Sequence, residues 1–169
     1  YNNKNGCKFN KSSKKKVYLI GDSNMGSLAF NLKNRVINNN YQFISFTLSG
    51  CLFYPGFNKV HIKTKKKDDD CNNNYFKKII QTLSNEKNSI IILGGRFPLY
   101  ETNYYFDNQE GGVEEQGDNK WSHEYVPSGK YDNILKSFRN EILNLSKNHK
   151  IILIYTIPET GWNISYKLL

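Results

Sequence analysis

The chain has 169 residues, of which 38% are hydrophobic and 14% aromatic, enough to bury the core of one domain. No apolar run approaches the roughly eighteen residues a membrane span needs, and residues 1–16 hold no apolar segment that would act as a secretion signal. The net charge of +9 invites an acidic partner, but the Lys runs (Lys14-Lys15-Lys16, and Lys63 with Lys65-Lys66-Lys67) are not interleaved with aromatics. The second run leads straight into Asp68-Asp69-Asp70. That pattern reads as solvated loops, with attraction to an acidic polymer or lipid surface as the alternative and no nucleic acid as partner. Tyr1 stands where a start Met would, and the chain is expected to be part of a longer protein.

Residues 1–16, rich in Asn and Lys, are predicted as a polar linker before a domain over 17–169. Val17–Ile20 reads as a buried strand, and Gly21-Asp22-Ser23 breaks it. A helix follows over 26–38, with Leu28, Leu32, Val36, Phe30 and Ile37 as its apolar side. Tyr41–Leu48 is the second strand and delivers Ser49-Gly50-Cys51. Residues 53–74 are a loop holding Pro55-Gly56 and the charge runs. Tyr75–Glu86 is a helix with Phe76, Ile79, Ile80 and Leu83 inward. Ser89–Leu93 is a third strand, ending at Gly94-Gly95-Arg96-Phe97-Pro98-Leu99-Tyr100.

Residues 101–127, acidic and aromatic, form a long loop suited to a lid or binding loop. Ser128–Asn148 is predicted as the longest helix, with Ile134, Leu135, Phe138, Ile142 and Leu145 as its stripe. Ile151–Tyr155 is a fourth buried strand, followed by Thr156-Ile157-Pro158-Glu159-Thr160-Gly161-Trp162. Strand and helix alternate throughout, which predicts an α/β fold with a parallel sheet.

In a parallel sheet the four loops after the strands emerge at one edge and converge on one site. Ser23 then stands between a strand's carboxyl end and a helix's amino end, where backbone N–H groups face an incoming group. A hydroxyl there is placed to attack a carbonyl. Asp22 supports the turn. Asp and Ser are also ordinary turn and cap residues, and Gly50 reads equally as a turn glycine. Cys7, Cys51 and Cys71 lack metal-ligand spacing, and neither metal nor cofactor is expected. Cys51 and Cys71 flank a polar loop that a disulfide would close, which implies an oxidising compartment; Cys7 is left to pair outside the chain.

With Ile20-Gly21-Asp22-Ser23, Ser49-Gly50-Cys51, Gly94-Gly95-Arg96-Phe97-Pro98-Leu99-Tyr100 and Ile157-Pro158-Glu159-Thr160-Gly161-Trp162 in this order, residues 17–163 resemble the SGNH hydrolase superfamily. They resemble most the SGNH domain fused to the membrane acyltransferase-3 domain of bacterial O-acetyltransferases. The resemblance implies a three-layer sandwich around a flavodoxin-like parallel sheet, with Ser23 as nucleophile and the N–H groups of Ser23 and Gly50 as oxyanion donors. It implies an extracytoplasmic domain, tethered through an N-terminal membrane acyltransferase domain and acting on acyl, chiefly acetyl, groups of cell-surface polysaccharide.

Three positions depart from that family's pattern. The Asn of its Gly-x-Asn motif falls at Arg96, which serves either as an oxyanion or substrate contact or as an ion-pair partner of the acidic 101–118 loop. Asn24 follows the nucleophile where relatives often have His. The Asp-x-x-His motif that supplies the base is absent, so the last strand and the acid–base pair are expected beyond Leu169, and the chain alone is expected to be inactive. His61 lies in the Lys-rich loop, His149 reads as a surface or C-cap residue, and only His123 has a route to Ser23. Tyr104, Tyr105, Trp121 and Trp162 are candidate sugar-stacking rings. Two alternatives remain: a non-catalytic SGNH-shaped module that binds glycan or positions a partner, and a nucleotide binder, which the lack of a Gly-rich or Walker signature disfavours.

Overall fold

The computed structural model describes residues 6–110, 120–129, 131–156 and 158–159. Its elements are β1 Cys7–Phe9, β2 Lys16–Gly21, α1 Ser23–Asn38, β3 Gln42–Thr47, β4 Phe57–His61, α2 Asn73–Ser84, β5 Ile90–Gly94, α3 Phe97–Thr102, β6 His123–Pro127, α4 Ile134–Leu145 and β7 Lys150–Leu153. Five strands form the main sheet in the order β1-β3-β2-β5-β7, and β4 pairs with β6 in a second, two-stranded sheet. The four strands read from the sequence are parallel neighbours. Gly21 lies level with Thr47 on one side and Gly94 on the other, so the three turns leave the sheet at one edge.

Alternation within each strand sorts the core into two clusters. Val17, Leu19, Phe43 and Ile92 pack with Met25 and Val36 of α1. Tyr18, Ile20, Ile44, Phe46, Ile91 and Leu93 pack with Phe76, Ile79 and Leu83 of α2 and Leu145 of α4. Because both sides are covered, β2 and β5 run apolar without interruption over Val17–Ile20 and Ile90–Leu93.

Six readings change in the structure. Cys7–Phe9, inside the stretch read as linker, pairs antiparallel with β3, with Phe9 against Phe43. A three-residue strand is too short to show a period. α1 begins at Ser23 because Asp22 caps it, and its inward face is Met25, Ala29, Leu32 and Val36; Phe30 is 66% exposed and carries the Lys33 ammonium over its ring. At 16 residues α1 is longer than the 12-residue α4, which starts at Ile134 where Asn133 accepts the Lys136 N–H, and Leu135 faces solvent.

The loop 53–74 contains β4 and the loop 101–127 contains β6, and the two pair with each other. β7 is an edge strand among the described residues: Leu153 is 51% exposed, so the expectation of full burial does not hold. His149 is buried rather than on the surface, with its Nε2 3.1 Å from the Leu83 carbonyl.

Candidate active site

Asp22 ends β2 and caps α1, and it is 1% exposed. Its Oδ1 accepts the Asn24 N–H at 2.9 Å, and its Oδ2 accepts the Arg96 N–H at 2.9 Å. The Tyr100 phenol is raised well above its ordinary value by burial first and then by the Asp22 charge, so it stays protonated. One buried carboxylate therefore ties the turn after β2 to the turn after β5. Gly95 allows that approach: a Cβ there would lie 2.2 Å from Leu52 Cδ1 and 3.2 Å from Asp22 Cγ. The third turn joins through the Leu48 N–H, which donates to the Gly21 carbonyl at 3.0 Å.

This bracing leaves Ser23 exposed at the first position of α1, where the N–H groups of a helix's first turn lack intrahelical acceptors. A cleft of about 320 Å³ opens beside it, lined by Asp22, Ser23, Gly26, Phe30, Thr47 and Ser49 among others. Gly50, at φ 64°, takes the left-handed turn conformation that favours glycine, and its N–H has no acceptor among the described residues. Ser23 and Ser49 share the cleft, Asp22 joins the turn of Ser23 to Arg96, and Gly50 follows Ser49 on the third turn.

Arg96 is held by the loop after β7. Its guanidinium forms a two-pronged pair with Glu159, with Nε donating to Oε1 at 2.8 Å, and it lies over the Tyr105 ring at 5.1 Å. This pair brings the fourth turn to the site. Ile157, Thr160, Gly161 and Trp162 of that turn lie outside the described residues.

No histidine among the described residues is bonded to the Ser23 hydroxyl. His61 Nδ1 accepts the Thr64 N–H, His123 Nδ1 is 2.9 Å from Ser122 Oγ, and His149 bonds to Leu83. Of the candidate stacking rings, Tyr105 is buried and Tyr104 is half exposed, while Trp162 is not described.

Cys51 and Cys71 form a disulfide with Cα atoms 5.5 Å apart, fastening the Gly50 turn to the start of α2. Tyr125 of β6 holds the next residue: its hydroxyl accepts the Leu52 N–H at 2.9 Å and donates to the Leu52 carbonyl at 3.2 Å. Lys59 of β4, 6% exposed, points at Gly50, where its Nζ would lie 3.3 Å from a Cβ. Neither Tyr125 nor Lys59 was singled out by sequence. Phe57 and Val60 stand three apart with Asn58 and Lys59 between them, so the strand shows no period of two, and the neighbouring charge runs add no signal.

No helix among the described residues is long and apolar enough to cross a membrane, and no cluster of His, Cys, Asp or Glu able to hold a metal occurs among them. No curated protein and no solved structure gives a significant match to the chain. The family model described as "SGNH domain (fused to AT3 domains)" matches residues 1–169. The chain belongs to that SGNH domain family.

Proposed function

We propose that the chain is the acyl-transferring or ester-hydrolysing domain of a membrane-associated acyl-modification system, working through a Ser23 acyl-enzyme. Membership of a family fused to AT3 domains supports acyl-group modification and a linked membrane domain. The observation that carries the serine chemistry is the exposed Ser23 at the amino end of α1, on a turn braced by buried Asp22 and facing a cleft. Ser23 Oγ attacks the acyl carbonyl, and the resulting oxyanion takes hydrogen bonds from the N–H groups of Ser23 and Gly50. Collapse breaks the bond to the donor oxygen, which leaves with the proton from Ser23. An acceptor hydroxyl of a glycan, or water, then attacks the acyl carbon; the bond to Ser23 Oγ breaks, and the acceptor's proton returns to Ser23 Oγ.

Arg96 acts as a positioning residue in this scheme, holding the Glu159 turn against the site. The acyl group is proposed to be acetyl, the acceptor a cell-surface polysaccharide, and the location extracytoplasmic; the Cys51–Cys71 disulfide supports an oxidising compartment. A three-layer sandwich is part of the same reading, supported by α1 packing with one set of sheet residues and α2 and α4 with the other.

Ser23→Ala in cells carrying the protein should lower base-labile acyl groups on the surface glycan by on the order of a thousandfold or more. An unchanged acyl content, with the variant present at normal abundance, removes serine catalysis. It would leave the second reading, a glycan-binding module, which one observation favours: no base is bonded to Ser23 Oγ among the described residues.

A further inference from the structure

The cleft beside Ser23 does not end at the nucleophile. Its walls continue from Ser23 and Ser49 past Gly26 and Ala29 to Phe9, Phe30 and Lys33. Positions 23, 26, 30 and 33 fall on one face of α1, because steps of three and four residues nearly complete a helical turn. Opposite them, Phe43, Ser45 and Thr47 share one face of β3, and β1 sets Cys7 level with Ser45 and Phe9 level with Phe43. From Ser23 to Lys33 the helix rises about 15 Å, and from Phe43 to Thr47 the strand runs about 13 Å. The cleft is therefore a groove, with the nucleophile at one end.

Small residues keep it open. α1 presents Gly26 and Ala29 where larger side chains would fill the space against β3. A Cβ on Gly26 would meet only Thr47, at 3.7 and 3.8 Å. The interior has little to hold a polar ligand. The Ser45 and Thr47 hydroxyls are bonded to each other at 3.1 Å, and the Asp22 oxygens accept the Asn24 and Arg96 N–H groups. The rest of the length is mostly ring and aliphatic surface, and the Phe9 and Phe30 rings are exposed along it. The Lys33 ammonium stands 5.0 Å from the Phe9 ring centre and 4.9 Å from that of Phe30, which marks the far end.

We propose that this groove holds the alkyl chain of an acyl group whose carbonyl lies at Ser23, so that the site accepts straight-chain acyl groups of hexanoyl length as well as acetyl. This rests on the reading that Ser23 takes up an acyl group, and it adds the length of chain the site admits. An acetyl group ends at the Ser23 mouth and leaves the Phe9 and Phe30 rings facing water. A longer chain covers them, and each methylene withdrawn from water adds to its affinity. A sugar ring in the same place would lose hydrogen bonds to water and find few partners.

The test is a titration of the ¹⁵N-labelled chain with methyl acetate, methyl butyrate and methyl hexanoate, following the Ser23, Gly26 and Ala29 amide resonances. These esters carry no charge for Lys33 to attract. Half-saturation should fall at least about twofold for each added methylene. Methyl hexanoate should move all three signals with one midpoint, and methyl acetate should move Ser23 but not Ala29. Gly26→Leu puts a side chain into the groove and replaces a poor helix former by a good one. It should raise the methyl hexanoate midpoint at least about tenfold and leave the Ser23 response to methyl acetate unchanged. Phe9→Ala, on the edge strand β1, should raise that midpoint at least about threefold, so the test survives if the first variant fails to fold. Equal midpoints across the esters, an Ala29 signal that moves without Ser23, or an unchanged methyl hexanoate midpoint in either variant overturns the proposal. Ser23→Ala should titrate like the parent. If that variant leaves glycan acylation intact while the chain-length dependence persists, serine catalysis fails and the alkyl groove stands.

Discussion

The two walls of the candidate site are built in opposite ways. The wall formed by the main sheet takes its shape from strand register: Gly21, Thr47 and Gly94 end level, and a single carboxylate, Asp22, staples two of the turns. The wall formed by β4 and β6 has only two strands, too few to hold itself together without help. It is fastened instead by discrete bonds: the Cys51–Cys71 bridge, the Tyr125–Leu52 pair of hydrogen bonds and the Lys59–Asp68 ion pair. A wall made by register tolerates loss of any one side chain, whereas a wall made by fasteners fails one fastener at a time.

The largest expected effect is on the strongest fastener. Replacing both Cys51 and Cys71 by Ala opens a loop whose ends are 20 residues apart, which should cost about 3 kcal/mol in a urea unfolding curve. The main sheet should survive, with parallel-sheet amide protection retained while exchange quickens at Gly50 and Leu52. A loss below about 1 kcal/mol would mean that the hydrogen bonds alone hold the Gly50 turn.

Tyr125→Phe comes next. The ring stays, with its edge contacts to Tyr54 at 5.0 Å and Tyr100 at 5.9 Å, but the Leu52 N–H and carbonyl lose their partner. Leu52 is fully buried, so two stranded backbone groups should cost about 2 kcal/mol by chemical denaturation. Burial, with Tyr100 beside it, raises the Tyr125 phenol well above its ordinary value, so the native hydroxyl donates at every pH where the chain is folded. An unchanged unfolding midpoint would show that β6 does not hold the Gly50 turn.

The same contrast explains what the sequence disclosed. The parallel sheet was legible because strands buried on both faces must be apolar throughout, and helices between them must carry a stripe; α2 buries Phe76, Ile79 and Leu83 as read, with Ile80 packed against them. That the turns carrying Asp22, Ser23, Gly50 and Arg96 leave the sheet at one edge followed from topology alone. The second sheet was not legible. Phe57 and Val60 are buried in β4, but the buried residue between them is a Lys, and its partner strand lies more than sixty residues away, written as His-Glu-Tyr-Val-Pro. A buried Lys59 makes sense only once Asp68 and Trp121 are seen beside it. α1 misled for a related reason: Leu28 stands one turn before Leu32 but faces outward with Phe30, whose exposed ring carries the Lys33 ammonium.

The smallest expected effect concerns His123, which sits on the fastened wall between Trp121, 5.5 Å from its ring, and His61, 5.2 Å away. Burial is the main influence lowering its pKa below 6.5; the Lys59 and His61 charges add to it, and Asp68 opposes it. A histidine whose folded pKa is depressed binds fewer protons in the folded chain than in the unfolded one. Its stabilising contribution is therefore whole above about pH 6.5, the unfolded value, and is lost as the pH falls through the lower folded value. Unfolding midpoints measured from pH 7.5 down to 5 should fall more steeply for the parent than for His123→Gln, which carries no titrating ring. Lys59→Gln paired with Asp68→Asn removes a charge that lowers the pKa and one that raises it. Because Lys59 ranks ahead of Asp68 among the influences on His123, the ring's NMR titration in that double variant should move back up toward the ordinary value. A titration that stays put would separate His123 from the Lys59 ammonium and loosen the second wall into independent parts.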